Sequence, residues 1–140
     1  MRLTSFTDYG LRMLMRMAGD PGRAFSTAEM ADEFGLSRNH LSKIVQCLAR
    51  AGIVETRRGG GGGATLARAP ATIRLGSLVR LLEDGHVLAD CFSADGKHCR
   101  ISGQCRLKAR LRSAETAFFA DLDKTTLADI ALVPMDFLTG

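Results

Sequence analysis

Residues 26–66 read STAEMADEFGLSRNHLSKIVQCLARAGIVETRRGGGGGATL, and this stretch decides the fold. Ser26-Thr27-Ala28-Glu29 has the pattern of a capping box, a hydroxyl at the N-cap with a carboxylate three residues on, and opens a short helix to Phe34. Gly35-Leu36 leaves room only for a tight turn before Ser37, which is a good N-cap for a helix reaching about Arg50. Ala51-Gly52 stops that helix with a glycine just past its last turn. Two helices joined by so few residues cannot lie side by side, so they cross as in a helix-turn-helix. On the second, Leu41, Ile44, Val45 and Leu48 fall at i, i+3, i+4 and i+7 and face a core. The opposite face carries Arg38, Asn39, Ser42, Lys43 and Gln46, side chains that can bond base edges or pair with phosphates in a major groove. Arg38 and Asn39 occupy the first turn, the end that enters the groove in this motif.

Downstream, residues 53–56 read as a short strand and residues 64–66 as its return partner. Between them stand Arg57, Arg58 and five glycines, Gly59 to Gly63. Two short strands joined by a Gly-rich, Arg-flanked loop form a wing. Glycines such as Gly60 and Gly61 let its tip approach a phosphate backbone because no Cβ intervenes. Arg57 and Arg58 supply phosphate or minor-groove contacts at its base. The run is not a nucleotide-phosphate loop, because no Gly-Lys-Ser/Thr follows and it opens no helix.

Upstream, residues 6–18 read as a helix with Phe6, Leu11, Leu14, Met15 and Ala18 on its apolar side, begun by a Ser5…Asp8 box and ended by Asp20-Pro21-Gly22. Beyond the wing, Pro70 leads into a helix over about 75–83. Residues 85–104 form a loop, and Leu107, Leu111, Ala114, Phe118 and Leu122 make one apolar stripe on a long helix over about 106–123. A short helix near 126–132 and an apolar tail close the sequence. The expected fold is mainly α with a small β-wing: a winged helix-turn-helix DNA-binding domain over 1–84, a cysteine loop over 85–105, and a dimerisation helix with tail over 106–140.

Composition agrees with a folded DNA binder. Hydrophobic residues make up 46% of the 140, enough for a core, while 6% aromatics and no Trp leave little for stacking single-stranded bases. Residues 1–68 hold ten Lys+Arg against six Asp+Glu, and residues 69–140 hold nine against nine, so the formal +4 sits wholly in the DNA-binding half. No signal-peptide core or membrane-length apolar run is visible, and the expected location is cytoplasmic. Paired carboxylates in a cleft pattern, an activated serine and a nucleotide loop are all missing, so an enzyme is not expected.

Of four cysteines, Cys47 falls between core positions of the third helix and reads as a small hydrophobe. Cys91, Cys99 and Cys105 crowd into one loop, where a reducing compartment argues against disulfides and for metal. Their spacing lacks the paired C-x-x-C knuckles of structural zinc sites and the C-x-x-C of thiol oxidoreductases. A long loop with Gly96 and Gly103 suits a larger object, an iron–sulfur cluster on thiolates, with zinc or plain thiols as the other readings.

The chain resembles, over essentially its full length, the iron–sulfur winged-helix regulators typified by IscR, RirA and NsrR. The residues that carry this are Met1-Arg2-Leu3-Thr4, Thr7-Asp8-Tyr9-Gly10-Leu11-Arg12, Ser37-Arg38-Asn39-His40-Leu41, Val54-Glu55-Thr56-Arg57-Arg58-Gly59 and the three cysteines. The resemblance implies a homodimer joined through the long helix, a cluster near the dimer interface and a palindromic double-stranded operator. Within the group the chain looks most like the NsrR type, nitric-oxide-sensing repressors. IscR-type proteins place a histidine ligand three residues after the last cysteine, where this chain has Lys108. Three cysteines then hold three corners of a [4Fe-4S] cluster, [2Fe-2S] being the alternative. Asp8, reaching across from the partner subunit, is the candidate for the fourth position, with His86 and His98 as rivals and a plain ion pair to Arg12 as its ordinary role. Close NsrR-like wings carry a basic residue in or just after the glycines; here only Ala64 and Thr65 follow. The expectation is a repressor that binds DNA with the cluster intact and releases it when nitric oxide attacks the iron. Sensing of iron supply or redox state, and a zinc-stabilised protein-interaction module, are the alternatives.

Overall fold

In the computed structural model, residues 2–59, 63–94 and 99–133 are described. Met1, Gly60, Gly61, Gly62, Gly96, His98 and the tail over 134–140 lie outside them. The elements run α1 (Ser5–Ala18), α2 (Thr27–Phe34), α3 (Arg38–Arg50), β1 (Val54–Arg57), β2 (Gly63–Leu66), α4 (Leu75–Leu82) and α5 (Arg106–Leu122), with 3-10 turns at Pro70–Thr72, Asp90–Phe92 and Leu127–Ile130. This is a winged helix-turn-helix with an added long helix, as the sequence reading anticipates.

The turn between α2 and α3 is made as expected. Gly35 takes φ +66°, a left-handed conformation that costs an L side chain energy, and its neighbour Leu36 N–H closes back on Ala31 O at 2.9 Å. Ser37 then caps α3, its hydroxyl accepting from His40 N–H at 3.1 Å. Leu41, Ile44 and Leu48 are buried, and Val45 packs half-buried beside them. Ser26 caps α2 through Glu29 N–H at 3.0 Å, but the box is only half made, because the Glu29 carboxylate pairs with Arg23 instead.

The two strands pair antiparallel from Val54↔Leu66 to Arg57↔Gly63. Phe25 joins them from outside through an antiparallel bridge to Ala64, with N–H···O contacts of 2.9 and 2.8 Å. Gly63 is needed there twice over: its φ is +140°, and a Cβ would stand 2.5 Å from the Phe25 carbonyl oxygen.

Two expectations shift in α1. The N-cap is Thr4 rather than Ser5, with its hydroxyl accepting from Thr7 N–H at 3.2 Å. The buried face is Thr7, Gly10, Met13, Leu14, Arg16, Met17 and Ala18, so Leu14 and Ala18 lie inside as expected, while Phe6, Leu11 and Met15 lie half-exposed. The cause is steric. A Cβ on Gly10 would sit 3.1 Å from Leu82 and 3.4 Å from Ile44, so α1 turns its bare edge to α3 and α4 to approach closely. The end of the described chain returns to the same core. Leu127 is fully buried, and Leu132 N–H reaches Met15 O at 3.0 Å.

Candidate functional site

Two surfaces take up the residues singled out by the sequence. The first is the outer face of α3 with the wing. Arg38, Asn39, Lys43 and Gln46 are exposed and Ser42 is half-exposed, while the opposite side of the helix is core. Arg57 and Arg58 are exposed at the end of β1, and Ile53 N–H bonds to Leu48 O at 2.9 Å, which fixes the wing to the end of α3. Gly60 and Gly61 lie outside the described residues. His40 belongs to α3 but is not part of this surface. It sits against α1, 5.2 Å edge-on from the Tyr9 ring and 6.3 Å from Phe6. A row of cations and amides standing on a rigid helix is suited to duplex phosphates and base edges.

The second surface is the cysteine stretch between α4 and α5. Cys91 is half-buried within the 3-10 turn Asp90–Phe92, Cys99 is exposed, and Cys105 is the half-buried N-cap of α5. All are free thiols. Among the described residues, no three His, Cys, Asp or Glu side chains are drawn together closely enough to hold a metal ion. The donor chemistry nevertheless fits a thiolate-held group: three free thiols on one stretch, two of them half-buried. Asp8 stands in the first turn of α1 and binds Arg12 two-pronged at 2.9 and 3.2 Å, with both side chains about half exposed. His86 is exposed near the end of α4, and His98 lies outside the described residues.

Sequence reasoning missed Glu83. Its Oε1 accepts from Thr4 N–H at 2.7 Å and from the Thr4 hydroxyl at 3.1 Å, so a carboxylate 79 positions away completes the cap of α1. Burial pushes this carboxyl up, but the bonds from Thr4 and Thr7 and the nearby His86 outweigh it, and the net shift is downward. Glu83 thus fastens the last turn before the cysteine stretch to the helix that bears Asp8. No local pattern reveals such a contact; a carboxylate at the end of a helix reads as solvated.

The helix α5 has no buried residue of its own. Its Phe118 and Leu122, with Leu3 and Leu11 from the other side and Val79 from α4, line an apolar groove of about 640 Å3. Leu107 is 63% exposed.

With this geometry in place, comparison with known proteins assigns the family. The model of Rrf2, described as an iron-dependent transcriptional regulator, matches residues 3–132. The chain belongs to the Rrf2 family. Among solved structures this Rrf2 chain is similar to the oxidised form of CymR from Staphylococcus aureus, at 27% identity, covering 94% of this chain and 96% of that one with a TM-score of 0.72. It is similar also to IscR of T. potens, at 28% identity, 93% and 85% coverage and TM-score 0.71. CymR, the global cysteine regulator of B. subtilis, is 29% identical over 94% and 96% with TM-score 0.68. As an Rrf2 protein the chain is a DNA-binding transcription regulator and not an enzyme. Among the described residues, no helix is long and apolar enough to cross a membrane.

Proposed function

We propose that this Rrf2 regulator is a homodimeric repressor whose hold on a palindromic operator depends on an iron–sulfur group, most simply [4Fe-4S], carried by Cys91, Cys99 and Cys105. The observation that carries the reading is the placement of three free thiols on the single connection between the DNA-binding half and the unburied helix α5. When bound, the group supplies iron that is open to attack by nitric oxide, the proposed signal. The residues of the chain do the rest. Residues 1–84 present α3 and the wing to DNA, residues 85–105 hold the group, and residues 106–140 join two copies. The exposed side of α5 and its adjoining groove receive the second copy, which places two α3 helices at the spacing of roughly 34 Å that successive half-sites require. Arg38, Asn39, Ser42, Lys43 and Gln46 contact the major groove, and Arg57, Arg58, Gly60 and Gly61 the backbone. Asp8 of one copy serves the cysteine stretch of the other as the fourth ligand. Its exposed pair with Arg12 is weak enough to exchange.

A second reading keeps the DNA binding and changes the signal to iron supply or redox state. It is favoured by the iron-dependence in the family's description and by the similarity to an oxidised CymR. One experiment separates them. Protein purified without air is analysed for iron, sulfide and visible absorbance, then titrated onto a duplex it has selected from a random pool, before and after nitric oxide, an iron chelator or peroxide. The proposal expects about four irons and sulfides per chain and loss of binding with nitric oxide at near-stoichiometric dose. About two of each, or a response only to the chelator or peroxide, moves the assignment to the second reading. A colourless zinc protein overturns both.

A further inference from the structure

One face of α5 carries two stacked contacts. Arg112 and Phe119 are spaced by seven, so they lie within about 20° of each other around the helix, and Cys105, the N-cap, stands seven positions before Arg112. The Arg80 guanidinium of α4 lies over the Phe119 ring at 4.0 Å, which marks this as the side of α5 turned to α4. One step closer to Cys105, the Arg112 guanidinium lies over the Phe92 ring at 4.4 Å. Phe92 is the last residue of the 3-10 turn that contains Cys91. That turn is closed by Phe92 N–H to Ala89 O at 2.9 Å, Ser93 N–H to Asp90 O at 3.1 Å and the Ser93 hydroxyl to Asp90 O at 2.7 Å. The Cys91 turn is therefore a small closed unit, and Phe92 on Arg112 is its stacked attachment to α5.

We propose that Arg112 and Phe92 are positioning residues for the cysteine site: their stack holds the turn bearing Cys91 against the first half of α5, which Cys105 caps. The inference rests on the reading that these thiols share one inorganic group. It adds that two of the three donors, 14 positions apart in sequence, are registered on α5 before anything binds, leaving Cys99 as the donor brought in from the stretch between. Arg112 otherwise reads as one of several exposed cations on the first half of α5. Phe92 otherwise reads as a half-exposed apolar residue.

The test has two arms on the full-length chain. In the metal-free protein carrying Cys47→Ser and Cys99→Ser, the rate at which a short bismaleimide bridges Cys91 to Cys105 reports their registration without any iron present. In the iron-loaded protein with all cysteines intact, the rate of bleaching by a chelator reports how well the group is held. Arg112→Ala and Phe92→Ala each slow bridging and speed bleaching by about two- to five-fold, the size that one exposed cation–π contact supports. Phe92→Tyr keeps the ring and restores both rates, whereas Phe92→Leu keeps apolar bulk without a ring and does not, which separates the stack from general packing. Unchanged bridging in both alanine variants overturns the proposal, and so does failure of Phe92→Tyr to restore it. If the wild type takes up no iron yet bridging still depends on Arg112, the stack stands and the iron–sulfur reading falls. If iron loads normally and both rates ignore Arg112, the reverse holds.

Discussion

Glu83 puts its carboxylate at the start of α1, where it accepts from the Thr4 backbone N–H at 2.7 Å and from the Thr4 hydroxyl at 3.1 Å. Because its folded value lies below the ordinary 4.5, the ionised form is the one that stabilises. That contribution is complete above about pH 4.5 and fades as pH falls through the lower folded value. Glu83→Gln should therefore cost about 1 kcal/mol at neutral pH, the scale of a lost helix cap, with the gap to wild type closing in acid. Thermal melts from pH 7 down to pH 3 read this directly, and a gap that stays constant would show that charge is not involved. Asp8 makes the opposite case. Its pair with Arg12 is exposed, so Asp8→Asn should change stability by no more than about 0.5 kcal/mol. Were it a ligand, the same variant would lose iron far faster than wild type when both are purified without air. Normal iron retention would leave Asp8 with Arg12 alone.

Among elements, the wing is sensitive to a single change at Gly63. Gly63→Ala forces a side chain into a left-handed backbone and against the Phe25 carbonyl. A loss of about 1–3 kcal/mol is expected, together with weaker operator binding from a displaced β2, measured by melting and by duplex titration. Arg57→Ala with Arg58→Ala should lower affinity for all duplexes alike and flatten the salt dependence by one to two in log–log slope. A sequence-selective loss would instead mean that these arginines read bases. The helix-turn-helix was legible because its signals are local: Ser37, Gly35 and the 3.6-residue period of α3 all act within one or two turns. The start of α1 was misplaced by one residue because Thr4 is selected over Ser5 by a partner far along the chain. Its buried face was legible only in part, at Leu14 and Ala18, because the decisive residue, Gly10, is the one with no side chain to count. The stripe on α5 was visible, but the separate face that carries Arg112 and Phe119 was not. Guanidinium–ring pairs leave no trace in a hydrophobic pattern. At the site, the thiols were found by type and spacing, whereas Phe92 and Glu83 needed the fold.

For the molecule as a whole, a 17-residue helix without one buried residue is an unfinished structure in a single copy. Leu107→Glu together with Leu111→Glu should leave the winged-helix core intact, since neither residue belongs to it. The protein should nevertheless sediment as a monomer and bind operator far more weakly, because two half-sites can no longer be engaged together. Dimers that persist in this variant would place the joint elsewhere. Glu83 also has a bearing on synthesis. At about 5–20 residues per second, the 79 positions separating it from Thr4 correspond to a delay of roughly 4–16 s on the ribosome. Over that interval α1 is already made but lacks its distant acceptor, and a nascent chain stalled before residue 83 would display a helix still fraying at its first turn.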